Sequence, residues 1–357
     1  MHKCLTLSNF RGFKDFSMEL KPITLIAGKN STGKTSVLES VFLLYYGFGL
    51  PTVFSDLLTI RRIILKEYSA QNLWEPLFHG FDANIPLKLA IDDALAIEFQ
   101  KNDNFAQARN VSEDTINSFG SLRLSYFLGC KYTQNNIAVE CDYYIDIGKD
   151  GRQGIASIGR GEKSTNTIQS SLHHNYIGPN VSFSETNLTE WFTEAALNNK
   201  KEFIIEALQI LDDSITDVES FHVHGSPQIF ITRSGIKMPT NVMGDGIRKI
   251  LQVALFLLSD IKKPLLLDEA ENGLHYTLHS KFWEMMSTLA IKEGRQIIAT
   301  THSYECIEGA LEGVKEAGLE DSFAYVRLDK SDDGRIVSKI YDGDILKHAL
   351  DMDWEVR

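Results

Sequence analysis

The sequence predicts an α/β fold: a mixed, largely parallel sheet with flanking helices, carrying an inserted β-rich and helical lobe. Three observations lead there. Near the start, the strand-like "ITLIAG" enters a glycine-rich turn and then the helical "TSVLESVFLLYY". Beyond residue 243, strand and helix alternate again, through a helix at 245–259, "PLLLDEA", a helix at 276–292 and "QIIATTHS". Such alternation is the pattern of a doubly wound parallel core. Between these ends, from about residue 85 to 160, alternating strands flank polar turns, which marks antiparallel hairpins.

Taken in order, "KCLTLSNF" reads as a first strand ahead of "ITLIAG". "IPLKLAID" and "LAIEFQ" flank an Asp-Asp-Ala turn, and "SLRLSYFLG" and "NIAVECDYYIDIG" flank a polar Lys-Tyr-Thr-Gln-Asn stretch. Residues 161–180 are rich in Ser, Asn and Gly and read as loop. Two helices are expected around 186–198 and 200–212. "SPQIFITRSGIKM" is strand, turn, strand. At the end, "FAYVRLDK" and "RIVSKIYD" are joined by a Ser-Asp-Asp-Gly turn. Because both ends share one pattern, residues 1–50 and 220–357 are expected to form a discontinuous head. Residues 51–219 are then the inserted lobe, antiparallel at about 85–160 and helical at about 186–212. There is no heptad run and no internal repeat.

Composition narrows the function. The chain has 357 residues and a formal net charge of −12. That excludes a uniformly basic nucleic-acid-coating surface but leaves room for a local groove. The four cysteines are scattered and form no CxxC pair, so no zinc knuckle or hook is readable. Reduced thiols in the cytoplasm are the expectation. The N-terminus has no signal-peptide core. "VFLLYYGFGL" and "ILQVALFLL" are too short to span a bilayer and read as buried helices, so no membrane association is expected.

The chemistry lies in three places. "GKNSTGKTS" holds Gly28-x4-Gly33-Lys34-Thr35 between a strand and a helix, a phosphate-cradling loop. Backbone N–H groups from Gly28, Lys29, Asn30, Ser31, Thr32, Gly33, Lys34, Thr35 and Ser36 would face a nucleotide, helped by the positive end of the helix. Lys34 would reach the β and γ phosphates of ATP, and the Thr35 hydroxyl would bind Mg²⁺. "LLLDEA" ends a strand on Asp268 and Glu269. Buried carboxylates there are costly unless they work: Asp268 to hold Mg²⁺, Glu269 to polarise an attacking water. His302 closes the next strand, where it would orient that water near the γ-phosphate.

In order, "NFRGF", "GKNSTGKTS", "MGDGIRK", "LLLDEAENGLH" and "IIATTHS" resemble the ABC-type ATPases of the SMC, RecF and OLD (overcoming lysogenisation defect) branch. The chain is similar to stand-alone bacterial AAA ATP-binding proteins, many of which serve in anti-phage or toxin–antitoxin-like systems. Motif detail covers roughly residues 1–45 and 240–357. The resemblance implies an ATPase whose Walker A loop is Gly28 to Thr35 and whose Walker B pair is Asp268 and Glu269. It makes His302 the switch histidine and Arg11 an arginine close to the nucleotide. "ENGLH", with Glu271, Asn272 and His275, lies where a dimer-contacting loop follows.

The resemblance also gives "MGDG" a place as the signature loop that caps nucleotide held by another subunit. Gly244, Asp245, Gly246 and Arg248 would supply it. Met243 stands where Ser is usual, and Asp245 sits between the glycines. Asp245 is expected to cap the helix and point away from phosphate, with Arg248 compensating its charge. Two chains would then dock head to tail around two ATP molecules, as a homodimer or higher homo-oligomer. The leading implication is a subunit of a defence complex that regulates a separate effector, a nuclease or toxin. The alternative is a RecF- or SMC-like DNA-maintenance ATPase that binds DNA. A transporter's nucleotide-binding subunit ranks third, because "NFRGF" and the incomplete signature speak against it.

Other clusters read plainly. Asp329, Asp332 and Asp333 sit in a turn between strands, no further catalytic domain is expected after Arg357, and no intrinsic nuclease is expected. His173 and His174 lie in a polar loop. Arg61, Arg62 and Lys66 form a short basic helical face, read as solvated, with a phosphate backbone as the other option.

Overall fold

The computed structural model describes residues 1–46, 57, 60–61, 74–102, 127–134, 137–147, 153–160, 175–179, 181–341, 343 and 346. Its centre is strand β3 (Ile23–Gly28), buried at every position. A strand so apolar on both faces belongs in the middle of a parallel sheet. It pairs in parallel with β14 (Ile297–Thr300) on one side and β15 (Phe323–Lys330) on the other. β13 (Leu265–Leu267) and β9 (Tyr176–Ile177) extend the sheet beyond β14, and β16 (Ile336–Tyr341) closes the far edge antiparallel. The order β16-β15-β3-β14-β13-β9 sets the C-terminal ends of β3, β13 and β14 side by side. Ligands bind beyond such ends in open α/β sheets.

A second sheet has the order β2-β1-β4-β5-β6-β7-β8. It runs through β1 (Cys4–Phe10), β2 (Phe13–Glu19), β4 (Leu87–Ile91), β5 (Leu95–Asn102), β6 (Phe127–Gln134), β7 (Ile137–Ile147) and β8 (Gln153–Arg160). All its pairs are antiparallel. Helix α1 (Lys34–Tyr46) lies between the two sheets. Val37, Val41 and Leu44 share one core with Leu5, Leu89 and Ile97 of one sheet and Ile26, Leu266 and Ile298 of the other. This explains its nearly unbroken apolar run, since a helix hydrophobic all round is a buried one.

The opposite face of the parallel sheet carries α2 (Glu185–Leu197), α3 (Lys201–Gln209), α4 (Asp245–Leu258), α5 (His279–Lys292) and α6 (Tyr304–Glu316). A three-stranded antiparallel sheet, β10 (Ile215–Val223), β11 (Ser226–Arg233) and β12 (Ile236–Pro239), joins that layer. Ser184 and Ser303 cap α2 and α6, each side chain accepting from the backbone N–H three residues on, as N-cap serines do.

The sheets cut across the expected division at 50/51 and 219/220. β1 and β2, expected in the head, share their sheet with β4–β8 of the expected lobe. β9, α2 and α3, also expected in the lobe, pack into the core of the parallel sheet. The reading of 161–180 as loop misses β9, whose two buried residues pair with Leu266 and Leu267; two residues are too few to show a period. β10 and α6 were not anticipated. His173, His174, Arg62 and Lys66 lie outside the described residues.

Candidate nucleotide site

The phosphate loop folds as its glycines require. Gly28 has φ 147°, and a Cβ there would lie 2.6 Å from the Leu328 carbonyl oxygen. Gly33 has φ 92°, and a Cβ would meet the Phe13 ring at 2.7 Å. Both positions therefore need glycine on conformation and on space. Thr32 turns inward, its hydroxyl donating to the Lys29 carbonyl at 2.9 Å. Asn30, Ser31, Gly33, Lys34, Thr35 and Ser36 line a cleft of about 560 Å³, whereas Gly28, Lys29 and Thr32 are not part of its lining. The Lys34 ammonium folds back to donate to the carbonyls of Gly28, at 2.6 Å, and Lys29, at 3.1 Å. Burial holds it below its usual range, against the upward pull of Asp268, Glu271 and Glu269. An anionic phosphate in the cleft would relieve that cost.

Asp268 ends β13 and is 7% exposed. Three hydroxyls donate to its carboxylate: Thr300 at 2.5 Å, Tyr176 at 2.8 Å and Thr35 at 3.2 Å. A buried carboxylate held by hydroxyls rather than by a cation presents hard oxygens to a ligand. Thr35 and Asp268 together fit Mg²⁺, which takes one or two protein oxygens alongside substrate phosphates and water. Bound there, it would neutralise charge on the phosphates. Tyr176 and Thr300 were not anticipated. Thr300 was findable, as it stands at the end of β14 beside His302. Tyr176 was hidden in the stretch read as loop.

Glu269 and His302 line the same cleft. Glu269 sits at φ 51°, a left-handed conformation that costs energy in a non-glycine residue. Its N–H donates to the Thr300 hydroxyl at 3.0 Å, and its carboxylate accepts from Asn272 Nδ2 at 2.5 Å. Lys249, in α4, enforces the bend. Its ammonium donates to the carbonyls of Glu269 at 3.1 Å, Ala270 at 2.8 Å and Asn272 at 2.8 Å. Burial pushes Lys249 down to about 8, opposed by Cys306 and by the carboxylates of Glu271, Glu269 and Asp268. His302 lies 2.9 Å from Glu271 through Nδ1, and its backbone N–H donates to the same carboxylate oxygen at 3.0 Å. Glu271 thus orients the histidine. Asn272 reaches the glutamate of its own chain. His275 is exposed beside Tyr276, with ring centroids 4.5 Å apart.

Arg11 also lines the cleft. It shares the fully buried Glu39 of α1 with Arg61, at 3.3 Å from Arg11 Nε and 2.6 Å from Arg61 Nε. Arg61 Nη2 donates to Ser36 Oγ at 3.0 Å. Arg61 therefore belongs to the cleft wall while staying exposed, so to the solvated face expected for it the structure adds an ion pair with Glu39. Only tertiary packing brings it to Glu39, 22 residues away.

The "MGDG" stretch lies elsewhere. Gly244, Asp245, Gly246 and Arg248 are absent from the cleft. Asp245 and Arg248 line a neighbouring cavity with Lys249, Asn272 and Gly273, and Asp268 lines both that cavity and the cleft. Gly244 is the N-cap of α4 and makes no side-chain cap bond. Asp245 is the first helical residue rather than the cap. Its side chain is 88% exposed, 4.0 Å from Arg248. Gly246 has a reason within its own chain, because a Cβ there would meet the Gly273 carbonyl oxygen at 2.7 Å, whereas Gly244 faces open space.

The acidic residues of the β15–β16 hairpin are engaged locally: Asp329 with Arg327 and Lys339, Asp333 with Ser331 and Arg335. Among the described residues, no helix is long and apolar enough to cross a membrane.

Similarity to known proteins agrees with this geometry. An "ATP/GTP phosphatase" of Helicobacter pylori is 23% identical over 370 residues, covering 98% of each chain. A DNA replication and repair protein RecF of Teredinibacter turnerae is 34% identical over 96 residues, 26% of this chain and 24% of that protein. Among solved structures, an Smc head domain with an extended coiled coil, bound to the C-terminal domain of ScpA from Pyrococcus furiosus, matches over 99% of each chain. Its TM-score is 0.51 and its identity 11%, a likeness of fold. The AAA ATPase domain family matches residues 1–46 and 161–307, stretches that include the phosphate loop, β9, α4, the acidic pair and His302. Since that match spans more than half of the chain, the protein belongs to the AAA ATPase domain family, and its activity is that of an ATPase.

Proposed function

We propose that two copies of this chain dock head to tail around two ATP–Mg²⁺ units, and that hydrolysis opens the pair to change the state of a separate partner. The observation that carries the catalytic half is the network at the strand ends. Asp268 is fixed by three hydroxyls, Thr35 among them, with Glu269 bent into the cleft and His302 oriented by Glu271. Lys34 draws the β and γ phosphates, Thr35 and Asp268 hold Mg²⁺, Glu269 accepts the water's proton and His302 orients that water. Arg11 and Arg61 place positive charge beside the phosphates. The signature role of Gly244 and its neighbours in the other subunit's site is supported by their absence from the lining of the chain's own phosphate cleft, and dimer contacts through Asn272 and His275 by the exposure of both residues. The name of the Helicobacter pylori relative makes GTP a second nucleotide to assay.

The partner is read as an effector of bacterial defence, a nuclease or toxin in the cytoplasm, on the strength of the sequence resemblance. A second reading is DNA maintenance, favoured by the segment similar to RecF. The two separate cleanly. ATP turnover stimulated by DNA and suppressed by salt supports the second. Turnover indifferent to DNA, with a co-purifying protein partner, supports the first.

Glu269→Gln tests the shared core of both. Turnover is expected to fall by roughly 10²- to 10⁴-fold, the usual worth of a positioned base, while ATP still binds and native mass shifts to a dimer. Unchanged turnover would remove Glu269 from the mechanism.

A further inference from the structure

The network described so far handles phosphates and water; it leaves the base of the nucleotide unplaced. The same cleft is lined by Gly12, Pro76, Phe78, Gly80, Phe81 and Ile336. Phe81 stands out among them. Its side chain belongs to a residue 66% exposed, although it adjoins a core that buries Trp74, Leu77 and Phe78 almost completely. Its backbone is left-handed, with φ 61°, and Gly80 before it has the same φ of 61°. Glycine takes that conformation freely, but a bulky aromatic residue is an outlier there. Strain of this kind persists only where the surroundings impose it, and it collects at ligand sites.

The surroundings do impose it. The Arg11 backbone N–H donates to the Leu77 carbonyl at 2.8 Å, and Arg11 Nη1 donates to the Pro76 carbonyl at 3.2 Å. His79 Nδ1 lies 3.1 Å from the Arg11 carbonyl oxygen. Asn9 Nδ2 donates to the carbonyls of Asp82, at 3.2 Å, and Ile85, at 2.7 Å. Phe78 bridges to Phe10 of β1. The loop that presents Phe81 is thus tied on both sides of the ring to the segment carrying Arg11. A rigid loop that holds an aromatic face in solvent, at the wall of a nucleotide cleft, is organised before the ligand arrives.

We infer that Phe81 is the platform on which the purine base of the bound triphosphate stacks, and that the site reads the base by its face rather than by its edge. The second part follows from the described lining outside the phosphate network: Gly12, Pro76, Phe78, Gly80 and Ile336 carry no polar side-chain atom to pair with the base edge. Discrimination between bases needs such groups, whereas a π-face accepts any of them. The substrate class of the site is then purine nucleoside triphosphates, ATP and GTP alike. The inference rests on the phosphate-site reading above and adds a base subsite to it.

The test is equilibrium titration of the full chain with ATP, GTP and inorganic tripolyphosphate, each with Mg²⁺. The unmodified protein is expected to bind ATP and GTP within about threefold of each other, because stacking is sequence-tolerant. Phe81→Ala is expected to weaken both by about tenfold or more, within the range of base–aromatic stacking, and to leave tripolyphosphate affinity unchanged. Phe81→Trp is expected to keep both nucleotides. Retention of nucleotide affinity in Phe81→Ala would overturn the platform, and so would parallel loss of tripolyphosphate. A preference of the unmodified protein for ATP over GTP beyond about tenfold would overturn face-only reading. If the unmodified protein binds neither ATP nor tripolyphosphate, the phosphate-site reading itself fails, a result distinct from all of these.

Discussion

Lys249 shows what a single side chain contributes that its neighbours in sequence do not announce. Its ammonium meets three carbonyls of the 269–272 segment, so it holds the backbone that aims Glu269. Lys249→Met would leave those acceptors short of donors, at a cost of about 1–3 kcal/mol by the usual penalty for unmet buried groups. The expected result is a lower thermal midpoint and a turnover that falls more than ATP affinity does. The pH dependence has opposite signs for stability and function. Lys249 is held down to about 8 in the folded chain, against its usual 10.5. Between those values the unfolded chain binds the extra proton, so this residue's contribution to stability rises with pH. Above about 8 the neutral amine has one donor fewer for its three carbonyls, so turnover falls. Comparing pH profiles of melting and turnover with those of Lys249→Met checks both signs. The residues proposed to act directly, Gly28 to Thr35, Asp268, Glu269 and His302, were legible as candidates because their chemistry is tied to a local pattern. Lys249, Tyr176 and Arg61 were not, because each works through a partner tens of residues away.

At the scale of elements, the start of α4 packs onto the turn after β13 with no room to spare. Gly246→Ala would drive a Cβ to 2.7 Å from the Gly273 carbonyl oxygen. Overpacking of this kind costs about 1–3 kcal/mol, and the lesion is confined to one chain. Gly244→Ala meets open space and is expected to change stability by less than about 0.5 kcal/mol. Chemical denaturation of the two variants separates them; equal destabilisation would contradict the packing. The glycine pair is therefore not one device, since Gly246 is required by its own chain and only Gly244 is free to serve another. From sequence the pair looked uniform, because spacing does not reveal what faces each Cα. The same limit explains the elements. β3, β13, β14, α1 and α4 were readable from buried runs and helical periods. β9 was too short to carry a period, and the membership of β1 and β2 in the antiparallel sheet depends on a pairing of Leu5 with Ile91 and Leu7 with Leu89 that no local signal encodes.

At the scale of the whole molecule, the proposed sharing of the site between two chains rests on where Gly244 lies. The cleft holds the phosphate loop, Asp268 and Glu269, while Gly244 lies outside it at the start of α4. Val242 and Tyr276, 69% and 62% exposed, flank the Gly246–Gly273 contact within four residues on either side. Exposed apolar side chains beside an unused helix N-terminus suit an interface better than solvent. A head-to-tail pair built on this surface has a consequence that no single-chain site shares. Lys34→Ala disables only the site that holds its own phosphate loop, and Gly244→Trp disables only the site of its partner. Each variant alone is expected to be inactive. Mixed in equal amounts, random pairing forms heterodimers in which one site combines the intact phosphate loop of the Gly244→Trp chain with the intact Gly244 of the Lys34→Ala chain. Turnover should return to about a quarter of that of the unmodified protein, from half of the pairs carrying half of their sites. Adding Val242→Asp and Tyr276→Asp to both chains is expected to abolish that recovery, by placing charge in the shared face. A mixture no more active than its components would mean that the sites are not shared between chains. Activity of Gly244→Trp by itself would mean that the phosphate-loop half is sufficient.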